Sequence, residues 1–220
     1  MKPDLIEPDV LREMAALLDA EDRDEMAIPS YLHPNPALRW MAWSRIHAVV
    51  ELIATCCPQG GSALDYGCGT GVLFESILRR ADSLVGVDLV LDAARLWTER
   101  RGLSVDLIAP DAVADLPDRT MDLVVAAEVL EHVDDLDGVL RGFTRILKPG
   151  GTLLVSLPTE SRAYRLGRRL AGFEGHYHHD NARSIDKRIR GLGYARNSRR
   201  QLPVPGPLAI YWVNAYSPPS

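Results

Sequence analysis

The stretch Ala63-Leu64-Asp65-Tyr66-Gly67-Cys68-Gly69-Thr70-Gly71 constrains this chain more than any other part of it. An apolar strand runs into an acidic residue, then into three glycines at alternate positions, then into a helical stretch over 72–80. Glycine at such a junction lets the backbone turn tightly and lets a ligand come close to the main chain. Seventeen residues past Gly71, the strand-like run Ser83-Leu84-Val85-Gly86-Val87-Asp88 ends in a carboxylate. A carboxylate at the tip of the second strand can accept hydrogen bonds from both hydroxyls of a ribose. The two features together predict a nucleoside-containing ligand across the carboxyl ends of a parallel sheet.

Strand-like and helical stretches then alternate. Val105 to Ala112, Met121 to Glu128 and Thr152 to Pro158 read as strands; helices are expected over 71–80, 91–101 and 130–147. Such alternation implies a mostly parallel sheet with both faces covered. Lys148-Pro149-Gly150-Gly151 breaks the last of these helices. Ahead of the first strand, apolar residues at helical spacing predict a helix over 8–20, ended by the acidic 21–25. Asn35-Pro36 predicts a helix start, with Trp40, Trp43, Ile46, Val50 and Ile53 recurring along the helix to about Cys57. After the fifth strand come a basic helical stretch over 160–174, a helix over 181–192 and two strand-like pieces over 194–202 and 208–216.

The glycine spacing narrows the ligand. A dinucleotide site uses Gly-x-Gly-x-x-Gly and rests a pyrophosphate on the helix N-terminus. Here the spacing is Gly-x-Gly-x-Gly behind Asp65, a carboxylate that would repel pyrophosphate and suit a cationic amino-acid portion. Asp-x-Gly-x-Gly-x-Gly with the later Asp88, followed in order by Pro110-Asp111-Ala112, Glu128-x-x-Glu131-His132 and Lys148-Pro149-Gly150-Gly151, resembles the class I S-adenosylmethionine-dependent methyltransferases. Nearest in pattern are the ubiquinone-biosynthesis O-methyltransferases. The resemblance is close over 61–158 and looser from Tyr31 to the C-terminus. It implies an α/β, Rossmann-like fold: a seven-stranded, mostly parallel sheet with helices on both faces and a closing antiparallel strand. It also implies one domain over 1–220, made of a helical cap (1–60), a cofactor-binding core (61–158) and a substrate-side insertion, helix and hairpin (159–220).

The resemblance implies a site residue by residue. Asp65, Gly67, Gly69, Gly71, Asp88 and Leu89 would hold S-adenosylmethionine, whose product is S-adenosylhomocysteine. Asp111 would accept from the adenine amine, the Ala112 amide would donate to a ring nitrogen, and Glu128 would border the cofactor. Arg39 is the candidate for the cofactor carboxylate, with Arg45 left open because the spacing differs by a residue. His132, His176 and His178 are candidate general bases, since imidazole titrates near neutrality. Glu128, Glu131 and His132, with His176, His178 or His179, also look like a divalent-metal set in related O-methyltransferases; the same carboxylates at a helix start are equally read as a response to the helix dipole.

Composition bounds the rest. The 220 residues, 46% hydrophobic, suffice for one substantial core. Three cysteines in no framework spacing and no signal-peptide pattern predict a reducing, cytoplasmic setting. The net charge is −5, yet 162–200 holds eleven Lys and Arg against three acids, which suggests an anionic partner or a solvated face. A small-molecule substrate is expected, with an oxygen nucleophile preferred. A nucleic-acid methyltransferase is opposed by the lack of a binding domain or of an Asn/Asp-Pro-Pro-Tyr-type motif after the fourth strand, and a regulatory protein without turnover by the intact loop. The basic segment from Ser161 to Phe173 suggests peripheral membrane contact, and nothing in the sequence fixes an oligomeric state.

Overall fold

Alternation of apolar and helical stretches produces a single seven-stranded sheet in the computed structural model, which describes residues 6–159 and 181–219. The strands are β1 (Gly61–Tyr66), β2 (Ala81–Val87), β3 (Asp106–Ile108), β4 (Met121–Ala127), β5 (Leu147–Pro158), β6 (Ala195–Leu202) and β7 (Tyr211–Ser217). Their order is β3-β2-β1-β4-β5-β7-β6. All neighbours pair in parallel from β3 to β5, while β7 runs antiparallel to both β5 and β6. The chain leaves β1 toward β2 and β3, then returns to lay β4 and β5 on the other side. The order therefore reverses between β1 and β4, the place where sheets of this kind open a ligand crevice at their carboxyl ends.

Both faces are covered, so β4 is apolar along its length rather than alternating. Leu123 and Val125 face one core with Leu154 and Val213. That core is closed by α1 (Pro8–Leu17), α4 (Pro36–Cys56), α5 (Phe74–Leu78) and α6 (Asp92–Arg101), through Met14, Ile53, Phe74 and Trp97 among others. Val124 and Ala126 face the other core with Leu153 and Val155, beneath α7 (Leu136–Ile146) and α8 (Ala182–Gly191). Among the described residues no helix is long and apolar enough to cross a membrane.

Several boundaries differ from the sequence expectation, each for a local reason. The acidic run does not merely end α1. It forms a short helix of its own, α2 (Ala20–Glu25), capped by Asp19, whose carboxylate accepts from the Asp22 amide at 2.9 Å. A turn with Ala27 at φ +56° leads into α3 (Ile28–Tyr31). In α4, begun by Asn35 and Pro36 as expected, Trp40 is 60% exposed and the buried stripe is Ala42, Trp43, Arg45, Ile46, Val49, Leu52 and Ile53. The helix after the glycine loop starts only at Phe74, because Gly71 at φ +73° lies outside helical conformation. The helix expected over 130–147 is split into a 3₁₀ turn (Leu130–His132) and α7. Asp135 starts the second piece by accepting from the Gly138 amide at 2.9 Å. A Cβ at Gly138 would lie 2.2 Å from that carboxylate, so glycine there makes the cap possible. The expected breaker at 148–151 is a bulge inside β5, where the pairing with β4 slips between Met121 and Leu123.

Candidate functional site

The loop after β1 is held open by glycine and by Asp88. Gly67, Gly69 and Gly71 all have positive φ, at +73°, +51° and +73°. A Cβ on Gly67 would come within 2.5 Å of Val129, and one on Gly71 within 2.6 Å of the Phe74 ring, so close packing excludes any larger residue at both. The Gly67 amide donates to the Val87 carbonyl at 2.8 Å, tying the loop to β2. Asp88, at the tip of β2, accepts from the Gly69 amide at 2.7 Å through one oxygen and from the Leu89 amide at 2.8 Å through the other. The first oxygen keeps lone-pair capacity on a half-buried side chain, while the second also accepts from the Val90 amide at 3.4 Å. Burial raises the Asp88 carboxyl above its usual value, the loop amides pull against that rise, and Asp22 adds to it. Leu89, next to it, is 84% exposed, an apolar side chain standing beside the ribose candidate.

Asp65 is the most telling residue of the loop. It is the penultimate residue of β1, opposite Gly86 on β2 and Val125 on β4, is 1% exposed, and has no hydrogen-bond partner on either carboxylate oxygen. Buried polar groups are nearly always partnered, and an isolated buried charge is costly. Burial, with the Asp88 charge added, pushes this carboxyl up to about 7. Such a group fits a cationic ligand that would supply the missing partners. The neighbouring Cys68 thiol is pushed well above its usual value by burial and by both acids, which keeps it neutral and a poor nucleophile.

Across the crevice, the chain leaves β4 at Glu128 with φ +58°, a left-handed conformation that costs a non-glycine residue roughly 1–3 kcal/mol. Its carboxylate forms a buried ion pair with the Arg45 guanidinium and accepts from the Ser156 hydroxyl at 3.2 Å. Arg45, 7% exposed, also reaches the Tyr31 hydroxyl at 3.4 Å, and its guanidinium lies 5.7 Å and 5.4 Å from the Tyr31 and Tyr211 ring centroids. Burial would lower the guanidinium, but Glu128 and the two tyrosines outweigh it and hold it well above its usual range. Burial pushes the Tyr211 hydroxyl up to about 12.

The other expected residues fall as follows. Asp111 and Ala112 open the 3₁₀ turn (Pro110–Asp115) after β3, and the Ala112 amide donates to the Asp111 carboxylate at 3.0 Å and to the Ala109 carbonyl at 3.1 Å. The two groups expected to meet adenine thus meet each other. Arg39 is exposed and donates to the His33 carbonyl at 3.1 Å; of the two arginines left open, it is Arg45 that enters the crevice. His132 is exposed on its 3₁₀ turn, while Glu131 beside it is buried. With Glu128 committed to Arg45 and Ser156, no three of His, Cys, Asp and Glu gather to hold a metal ion among the described residues. His176, His178 and His179, and the segment from Ser161 to Phe173, lie outside the described residues. Sequence reasoning missed Tyr31, Ser156 and Tyr211 around Arg45. The available signal was a charged residue inside the apolar stripe of α4, between Ala42 and Ile46.

A family model for a methyltransferase domain matches residues 38–197. The ubiquinone biosynthesis O-methyltransferase of Pseudomonas paraeruginosa is 37% identical over 102 residues, covering 44% of this chain and 44% of that protein. Its namesake from Methylococcus capsulatus is 37% identical over 113 residues, covering 49% and 48%. The chain spans under half the length of these curated relatives. Among solved structures, the PH0226 protein of Pyrococcus horikoshii superposes with a TM-score of 0.68 at 20% identity, covering 86% of this chain and 95% of that one. The N-methyltransferase NodS of Bradyrhizobium japonicum, in complex with S-adenosylhomocysteine, gives 0.65 at 18% identity, covering 96% and 99%. These two share the fold.

Proposed function

The chain belongs to the methyltransferase-domain family, and from that membership we propose that it moves a methyl group from S-adenosylmethionine to a small-molecule nucleophile, leaving S-adenosylhomocysteine. The observation that carries this reading is Asp65, buried with neither oxygen hydrogen-bonded beside three left-handed glycines and the Asp88 carboxylate. A dinucleotide would bring pyrophosphate to that carboxylate; a cofactor with an ammonium and a sulfonium brings the opposite charge.

When bound, the cofactor supplies an electrophilic methyl group on a cationic sulfur. Asp88 accepts hydrogen bonds from the ribose hydroxyls while its loop amides keep it oriented. The Gly67–Gly71 loop gives the main chain close approach, and Asp65 supplies the charge for the cationic amino-acid end. Leu89 covers the nucleoside from its exposed side, and Asp111 and Ala112 exchange their mutual hydrogen bond for the edge of the base. The pair Arg45–Glu128 stands at the β4 side of the crevice and orients the incoming nucleophile. An oxygen nucleophile is the preferred class, by analogy with the O-methyltransferase relatives. His132, His176 and His178 are the candidates to take its proton, and most of the acceleration comes from holding nucleophile and methyl in line. The metal reading is not carried further, because Glu128 already has its cation in Arg45. Fold alone names no substrate.

The test is incubation with methyl-labelled S-adenosylmethionine and fractionated small-molecule extracts. Label moving into an extractable product, with a methyl ether or ester identified by mass spectrometry, is the expected result. Cofactor that binds yet stays unconverted across all fractions would replace the enzyme with a cofactor-binding protein.

A further inference from the structure

Two carboxylates flank the glycine loop, and every donor goes to one of them. Asp88 accepts from the Gly69, Leu89 and Val90 amides at 2.7 Å, 2.8 Å and 3.4 Å. Asp65 accepts from none and is 1% exposed. Among the described residues no ion pair joins either acid to a cation. Alternation along β1 puts Asp65 on the face of Ala63, toward the core that α4 and α5 close. The charged groups that these helices bring nearest are taken: Arg45 of α4 pairs with Glu128, and Glu75 of α5 pairs with Arg79 and Arg101. Leu123 and Val125 of β4 are apolar members of the same core. The loop adds the neutral Cys68 thiol, and the end of β2 adds the like charge of Asp88.

Two like charges in one buried place do not both persist without donors or cations; one of them takes a proton, and the donors decide which. Burial raises both carboxyls, the loop amides pull Asp88 back, and nothing pulls Asp65 back. A cationic ligand changes that balance, and S-adenosylmethionine and S-adenosylhomocysteine carry the same ammonium. We propose that Asp65 holds a proton in the ligand-free protein up to near neutral pH and releases it when that ammonium arrives, so that cofactor and product binding are both proton-linked through this one carboxyl. The step balances: the Asp65 O–H bond breaks with its electron pair staying on oxygen, the proton leaves to water, and the carboxylate so formed accepts from the ammonium. Asp88, already held by amides, takes the ribose without a change of charge. The inference rests on the cofactor reading above and adds to it a dependence on pH.

The experiment is titration calorimetry of S-adenosylhomocysteine into the wild type in phosphate and in imidazole, buffers whose heats of ionisation differ widely. At about pH 6 the difference between the two heats should report close to one proton released per ligand, falling as pH rises through about 7. Affinity should drop by about tenfold between about pH 8 and about pH 6. Ligand-induced difference infrared spectra of the wild type should lose the C=O stretch of a protonated carboxyl, a signature that a histidine does not give. Asp65→Asn has no proton to release, so its weaker binding should give equal heats in the two buffers and keep its affinity between those pH values. Equal heats in the wild type, an unchanged carboxyl band, or the same proton release from Asp65→Asn overturns the proposal while leaving the cofactor reading in place. Failure of the ligand to bind the wild type at either pH removes that reading, and this inference with it.

Discussion

Burial takes water away from Asp65 and nothing replaces it: neither oxygen is hydrogen-bonded, Asp88 adds a like charge, and the carboxyl is pushed up to about 7. A native value above the unfolded one means that the folded state holds the proton more tightly. Stability therefore falls as pH rises from about 4 toward 7 and stays reduced above that, by up to about 4 kcal/mol for a shift of this size. Asp65→Asn removes the charge while keeping the shape. It should raise the melting temperature of the ligand-free protein at pH 8 by several degrees, leave it nearly unchanged near pH 3, and weaken S-adenosylhomocysteine by about tenfold or more. A melting temperature lowered equally at both pH values would show that Asp65 is an ordinary structural residue. Asp65 and Asp88 were legible in the sequence because each sits at the end of an apolar strand at a fixed distance from the glycines. Arg45 was not resolved from Arg39, since both lie on one helix and only tertiary packing selects which of them enters the crevice. The ion pair with Glu128 and the aromatic ring on either side are long-range contacts that no local pattern announces.

Elements packed beyond the glycine loop are tied down by a second carboxylate with the opposite behaviour. Asp186 on α8 accepts from the Tyr216 hydroxyl at 2.8 Å and from Arg196 at 2.8 Å and 2.9 Å, and pairs with Arg199 at 3.0 Å and Arg190 at 3.3 Å. It locks α8 to both strands of the closing hairpin. Burial would raise this carboxyl, but Arg196, Tyr216 and Arg199 outweigh it and hold it below its usual value. Its contribution is therefore present in full above about pH 4 and is lost as pH falls from there through the lower native value. Asp186→Ala takes the acceptor from the buried Tyr216 hydroxyl and the partner from the partly exposed Arg196 and Arg199; it should cost about 1–3 kcal/mol, read as a fall of roughly 5 °C in melting temperature at pH 7 that narrows as pH falls below about 4. A fall of under about 2 °C would mean that the hairpin is held by apolar contacts alone. The hairpin itself was legible, because the Pro- and Gly-rich 203–207 separates two strand-like pieces. The second strand begins only at Tyr211, since the Ala209 and Ile210 carbonyls are taken by Thr159. The split of the helix expected over 130–147 was hidden because apolar periodicity runs across it; the chain turns extended at Val133, and the second piece starts where the Gly138 amide donates to the Asp135 carboxylate.

At the scale of the molecule, the strand order reverses between β1 and β4, and the segments that leave β1, β2 and β4 carry the three glycines, Asp88 and Glu128. The N-terminal helices, expected as a cap, do more than cover apolar surface: α4 delivers Arg45 to the Glu128 carboxylate, and Met26 at the end of α2 stands against Gly69. The parallel core was readable from strand-helix alternation, whereas the placement of α2 was not, because a short acidic helix carries no apolar stripe to say what it packs on. We propose that this crevice holds a nucleoside cofactor by its ribose at Asp88. Calorimetric titration of S-adenosylhomocysteine into the wild type and into Asp88→Ala tests it most directly. One binding site is expected in the wild type and a loss of about tenfold or more in the variant, from about 1–3 kcal/mol for hydroxyl donors left without an acceptor. Equal affinity in a variant that melts as the wild type does would contradict it.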